Sequence, residues 1–115
     1  MVSFTAIYSY LEEQGIKHSN LGFRFLASAI MLGIESPSYC MKIAGLYEEV
    51  AKEHDTNRAC VERAIRNSIP GRRVTNKEFI AKAVDTLTAE QLEYKENVSK
   101  IGLIHSSAVI SSNNG

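Results

Sequence analysis

Apolar residues recur every three or four positions along most of the chain, and no stretch alternates long enough to predict a strand. This period predicts an all-α fold, a compact helical domain of about six helices. Phe4, Ile7, Tyr8 and Leu11 mark the core face of a first helix, and Gly15 can end it in a left-handed conformation.

Polar and glycine residues predict where the next helices begin and end. Asn20 is the expected N-cap of a second helix, whose core face carries Phe23, Leu26, Ala27, Ile30 and Ile34. Ser36 and Pro37 start a third helical segment that runs to about His54, with a break expected near Gly45.

The final third of the chain contains two capping-box patterns. Thr75 with Glu78 and Thr88 with Gln91 each predict a helix start, the second helix covering about 89–100. We expect a single domain over 1–100 and a flexible tail at 101–115, where the sequence ends in small polar residues.

Residues 43–69 have the pattern of a helix-turn-helix, with two helical periods joined by the short polar turn "EHDTN". The packing positions of this pair are apolar: Leu46, Val50, Ala51, Val61, Ala64, Ile65 and Ile69. Pro70-Gly71 ends the second helix, which covers about 58–69.

The second helix of the pair has a polar face suited to reading DNA. Glu62, Arg63, Arg66 and Asn67 share the face opposite Val61 and Ile65. Arginine pairs with guanine, asparagine with adenine, and glutamate accepts from cytosine, so this helix is a candidate for the major groove. The alternative is an ordinary solvated helix, in which Glu62 and Arg66 stabilise each other.

The charge distribution agrees with a local nucleic-acid surface. The chain has 13 basic and 13 acidic residues, so its net charge gives no overall attraction to DNA or anionic membranes. Residues 55–88, however, hold seven basic and four acidic side chains. Phosphate contacts are expected from four basic residues that flank the polar face: Arg58, Arg72, Arg73 and Lys77.

Four segments together resemble the C-terminal effector domain of the stage-zero sporulation protein A family, the response regulator that commits endospore-forming bacteria to sporulation. They are "GIKHSNLGFRFLASAIMLGIE", "LYEEVAKEHDT", "VERAIRN" and "TNKEFIAKAVDTL". The likeness covers roughly residues 5–87, and "LYxxVAK" followed by "VERAIR" is its most specific part.

The resemblance implies a six-helix domain that regulates transcription by binding short promoter boxes, often in tandem, as head-to-tail dimers. The family's base-reading positions fall on Glu62, Arg63, Arg66 and Asn67, where asparagine replaces the usual histidine. Its positions associated with RNA polymerase sigma factor contact fall on Asp85 and Leu87.

Two departures from the family pattern weaken the functional transfer. Ala59 and Cys60 stand where the family usually has serine and arginine, so lower non-specific affinity is expected. The segment "IPGRR" replaces about twenty residues that join the recognition helix to "TNxEFIA" in the family, and these carry part of its activation surface. With no receiver-type phospho-acceptor site, control by aspartyl phosphorylation is not expected.

Other function classes have less support in the sequence. The three histidines and two cysteines have no spacing typical of a metal site, and nothing indicates an enzyme, a nucleotide site or a cofactor. The chain has neither a membrane-length apolar run nor a signal-peptide pattern, so a cytoplasmic protein is expected. The main rival is a helical interaction module that binds no DNA and pairs with or antagonises a full-length relative.

Overall fold

The computed structural model describes residues 2–72 and 74–108, without the side chains of Arg72 and residues 95–108. Regular structure in this part of the chain is entirely helical, which confirms the predicted all-α class. It consists of five α-helices and two short 3₁₀ turns, Pro37–Cys40 between the second and third helices and Pro70–Arg72 between the fourth and fifth. The α-helices are α1 (Phe4–Glu13), α2 (Leu21–Glu35), α3 (Ile43–Glu53), α4 (Arg58–Ser68) and α5 (Asn76–Ala108).

The second helix, α2, lies at the centre of the domain and packs against the other four. Most positions of α2 are therefore small or apolar and buried, and Arg24 remains on its exposed side. Its buried residues are Gly22, Phe23, Phe25, Leu26, Ala27, Ala29, Ile30 and Gly33. Ile34, predicted to be in the core, is only half-buried.

The end of α1 follows the glycine prediction. Gly15 has φ 87°, and the Ile16 N–H donates to the Leu11 carbonyl at 3.1 Å, as in a Schellman motif. Both Leu11 and Ile16 are buried, so the motif also adds an apolar contact.

The predicted core face of α1 was partly wrong. Phe4 and Tyr8 are 45 % and 39 % exposed, whereas Ile7, Tyr10 and Leu11 are buried. The buried face is therefore rotated toward Tyr10, whose ring lies 6.5 Å from that of Phe79 on α5.

The third helical segment is interrupted at residues 41–42, near Gly45 as predicted. Residues Pro37–Cys40 form a 3₁₀ turn, in which bonds such as Met41 N–H to Ser38 O span three residues, and α3 starts at Ile43. Gly45 lies inside α3 with open space around its Cα, so nothing there stops the helix.

The prediction of two helices after residue 75 was also wrong. The Thr75–Glu78 capping box forms, but α5 continues without a break through Thr88 and Gln91. No glycine or proline lies between residues 76 and 101, so the chain has no residue that ends the helix near Thr88. The backbone of α5 reaches Ala108, and the flexible tail at 101–115 stays a prediction.

Candidate nucleic-acid interface

Helices α3 and α4 form the helix-turn-helix that the sequence predicts. All the predicted packing residues are buried except Ala64, which is half-buried. Asp55 adopts φ 55° after α3, and the Thr56 N–H donates to the Ala51 carbonyl at 2.9 Å. The Asn57 carboxamide oxygen then accepts from the Cys60 N–H at 2.9 Å and caps α4. These local bonds hold the turn between the two helices short.

The four predicted base-reading residues lie together on the outer face of α4. Glu62, Arg63, Arg66 and Asn67 are all exposed, whereas Val61 and Ile65 on the opposite face have no exposed surface. The helical period of the sequence predicts this division of α4 into an exposed polar face and a buried apolar face, and the structure confirms the division. The face therefore lies at the surface of the domain.

Within this face Arg66 already has an acidic neighbour. The Arg66 guanidinium lies 3.8 Å from the Glu62 carboxylate, and about half of each side chain is exposed. The solvated-helix alternative predicts this same pair. Exposed pairs contribute roughly 0–1 kcal/mol, so Arg66 can leave Glu62 for a base at small cost.

The predicted phosphate-contacting residues are only partly described. Arg58 is exposed at the start of α4 and lies 3.7 Å from the Glu48 carboxylate of α3. Lys77 is exposed in the first turn of α5 and lines the same surface cavity as Arg66. The Arg72 side chain and Arg73 lie outside the described residues.

The start of α5 is attached to the predicted reading helix. The Asn76 side-chain N–H donates to the Glu62 carbonyl at 3.1 Å, and Asn76 lines the same surface cavity as Tyr47. Burial raises the pKa of Tyr47 above its ordinary value, and the nearby Asn76 amide opposes that rise. Sequence reasoning missed Asn76 and Tyr47, although Asn76 directly follows the Thr75 cap.

The two residues expected to contact sigma factor differ in exposure. Asp85 is exposed on α5, whereas Leu87 is 4 % exposed and belongs to the core. Only Asp85 therefore presents its side chain to a partner in this conformation.

His18 and His54 contact aromatic and polar neighbours. His54 lies with its Nε2 2.8 Å from the Ser28 hydroxyl and its ring 5.1 Å from Phe25, linking the end of α3 to α2. The ring of His18 lies 4.3 Å from Phe23. In the described part of the chain, no three His, Cys, Asp or Glu side chains are grouped so that they could hold a metal ion.

The match to a known family agrees with this geometry. A family model described as "Sporulation initiation factor Spo0A C terminal" matches residues 7–105, which include most of α1 and α5 and all of the helices between them. The chain belongs to this family. No curated protein matches it.

The Spo0A C-terminal family is the DNA-binding effector domain of the sporulation initiation factor, and DNA binding in transcription regulation is the function of this domain. The matched range includes both helices of the helix-turn-helix, α3 and α4. Among the described residues, no helix is long and apolar enough to cross a membrane.

Proposed function

We propose that the domain reads specific promoter sequences by placing α4 in the major groove of duplex DNA. The observation that supports this most is the division of α4 into a buried apolar face and an exposed face. The exposed face carries Glu62, Arg63, Arg66 and Asn67, which have the side-chain chemistry for base edges.

Each reading residue has a chemical role in this proposal. Arg63 and Arg66 donate to guanine O6 and N7, Asn67 pairs with adenine, and Glu62 accepts from the cytosine amino group. When Arg66 binds guanine, Glu62 loses its ion-pair partner and becomes available to cytosine. The exchange keeps both charged groups paired.

Phosphate contacts fix the position of α4 without reading sequence. Arg58 at the start of α4 and Lys77 at the start of α5 are exposed on elements that border the reading face. Arg72 and Arg73, which lie between Arg58 and Lys77 in the sequence, add two more cations. We expect all four to contribute to the salt dependence of binding.

Regulation of transcription requires further contacts. We propose that two copies bind tandem boxes as a homodimer and that the exposed carboxylate of Asp85 contacts RNA polymerase sigma factor. The buried Leu87 supports the position of Asp85 from the core side of α5. With these partners we propose that the protein acts in the cytoplasm, as a DNA-binding regulator rather than as an enzyme.

Fluorescence anisotropy with two labelled duplexes tests the proposal. One duplex carries the promoter box that the family binds, and the other carries the same bases in scrambled order. Box-selective binding that weakens with salt is expected, because base contacts give selectivity and phosphate contacts give salt dependence. Arg66→Ala should lose the selectivity, and Arg24→Ala, which removes an exposed arginine of α2, should keep it.

Equal and weak binding to both duplexes would refute base reading by α4. If the protein then bound no duplex at any salt but associated with a full-length relative, the interaction-module alternative would replace it.

A further inference from the structure

The side chain of Asn76 lies where three helices meet at the edge of the reading face. Its N–H donates to the Glu62 carbonyl in the middle of α4, and it lines the same surface cavity as Tyr47 of α3. Asn76 itself is the first residue of α5. The second helix of the helix-turn-helix is thereby tied to a helix outside it.

The bond to α4 falls at the turn where reading is proposed. In an α-helix the Glu62 carbonyl accepts from the Arg66 N–H, so Asn76 adds a second donor to the same oxygen. The acceptor residue Glu62 and the helical donor residue Arg66 are two of the proposed reading residues. A change at Asn76 therefore acts on the tilt of this turn rather than on the distant end of α4.

The position of Asn76 is itself well fixed. The Thr75 hydroxyl accepts from the Glu78 N–H at 3.1 Å, and the Glu78 carboxylate accepts from the Thr75 N–H at 3.0 Å. Phe79 and Ile80 in the following turn are buried. Tyr47 is also buried, at 6 % exposed. Asn76 therefore holds α4 against rigid neighbours on both sides.

We propose that Asn76, with Tyr47, is a positioning residue for base reading, which sets the tilt of α4 at the Glu62–Arg66 turn. This inference rests on the proposed function. Both α4 and α5 pack against α2 and contact each other, and the Asn76 bridge adds a polar connection at the Glu62–Arg66 turn.

The test compares Asn76→Ala, Tyr47→Phe and the matched control Asn20→Ala by anisotropy with box and scrambled duplexes. Asn20 is an exposed helix cap whose side chain makes no capping hydrogen bond. Loss of one hydrogen bond predicts a decrease of about 3- to 10-fold in the ratio of box to scrambled affinity for Asn76→Ala. Tyr47→Phe should lower the ratio less, and Asn20→Ala should leave it unchanged.

Two further readouts separate positioning from a loss of fold. The salt dependence of Asn76→Ala should equal that of the wild type, because the phosphate contacts remain. Amide NMR shifts should change around residues 43–47 and 62–66 and stay constant in α1. Measurements are made well below the unfolding temperature of each variant.

The outcomes separate this inference from the proposed function. If the wild type selects the box, Arg66→Ala does not, and Asn76→Ala keeps the full ratio, the positioning role is wrong and base reading stands. An equal loss of affinity for both duplexes would also overturn it, since that is what simple destabilisation gives. If the wild type itself has no selectivity, base reading fails and the positioning role fails with it.

Discussion

Arg58 and Arg66 each lie beside a carboxylate in the free domain, Arg58 at 3.7 Å from Glu48 and Arg66 at 3.8 Å from Glu62. In the proposed function, the two carboxylates compete with DNA for these cations. Glu62 is itself a proposed reader, whereas Glu48 lies on α3 and has no proposed base contact. We therefore expect Glu48 to reduce non-specific binding without a compensating contact to DNA.

Replacement of Glu48 tests this competition. Glu48→Gln should raise affinity for the scrambled duplex by about 2- to 5-fold, because this change corresponds to the free energy of an exposed ion pair. Glu49→Gln is the matched control, because it removes the same charge from α3 but its partner is Lys52. Anisotropy at low salt measures both. An equal rise in the two variants would show that only the net charge matters.

For single residues of the candidate site, exposure was predictable from the helical period, whereas contacts between helices were not. The exposure of Glu62, Arg63, Arg66 and Asn67 follows from the burial of Val61 and Ile65 on the opposite face of the same helix. The bond from Asn76 to the Glu62 carbonyl spans 14 residues, and the Arg58–Glu48 pair joins two helices. Such contacts depend on crossing angles, which no local pattern contains.

At the scale of elements, the approach of α2 to α4 depends on Gly22. A Cβ at Gly22 would lie 2.6 Å from the Ser68 hydroxyl oxygen and closer still to the Ala64 carbonyl. Gly22→Ala should therefore push α4 away and destabilise the domain by about 1–3 kcal/mol. Urea unfolding gives this free energy.

Gly45→Ala is the control for the glycine substitution. Gly45 lies inside α3, and a Cβ added there would have no atom within 4 Å, so alanine should be neutral or stabilise by up to about 1 kcal/mol. Equal effects at Gly22 and Gly45 would mean that helix propensity, rather than the close approach, sets the result.

The start of α5 should give the domain an acid-sensitive contribution to stability. The Thr75 hydrogen bonds lower the pKa of Glu78 from its ordinary value of 4.5. A group whose pKa is lower in the folded state stabilises above its unfolded pKa, and the contribution is lost as pH falls through the folded pKa. Glu78→Gln keeps an acceptor for the Thr75 N–H but does not titrate.

The wild type should therefore unfold at a higher temperature than Glu78→Gln near neutral pH, and the difference should shrink between about pH 5 and about pH 3. Thermal unfolding by circular dichroism at several pH values measures it. Glu90→Gln, which changes the same charge in a later turn of α5, controls for the charge change. A difference that grows as the pH falls would contradict the capping role.

Helix boundaries were predictable where local bonds set them and not elsewhere. Gly15, Asn57 and the Thr75–Glu78 pair begin or end helices as local chemistry requires. Thr88 and Gln91 have the same spacing as Thr75 and Glu78, but the chain around Thr88 is already helical. A capping pattern therefore marks a helix start only where the preceding residues leave the helix.

At the scale of the whole molecule, the described core lies before Thr88. Among the residues whose burial is described, up to Tyr94, every buried one precedes Thr88, and Leu92 and Tyr94 are 57 % and 70 % exposed. We therefore expect residues up to about 94 to be sufficient for the folded unit and the proposed reading face. The basic residues near α4 give this unit its local charge, although the full chain is neutral.

A chain ending at Tyr94 should fold and bind as the full chain does. Its unfolding temperature should lie within about 4 °C of the full-length value, because no described core residue is lost. Box and scrambled affinities should also agree. Unfolding at much lower temperature, or loss of box affinity alone, would assign residues 95–115 a role in the core or in pairing of two copies.

The central claim is that α4 reads bases in the major groove, and a guanine analogue tests it most directly. Replacing each guanine of the box in turn by 7-deazaguanine removes the N7 acceptor from the major groove and leaves Watson–Crick pairing intact. At one guanine the wild type should lose about tenfold in affinity, while Arg66→Ala should not change further, because its contact is already absent. If every replacement leaves the wild type unchanged, or weakens both proteins equally, Arg66 does not read guanine.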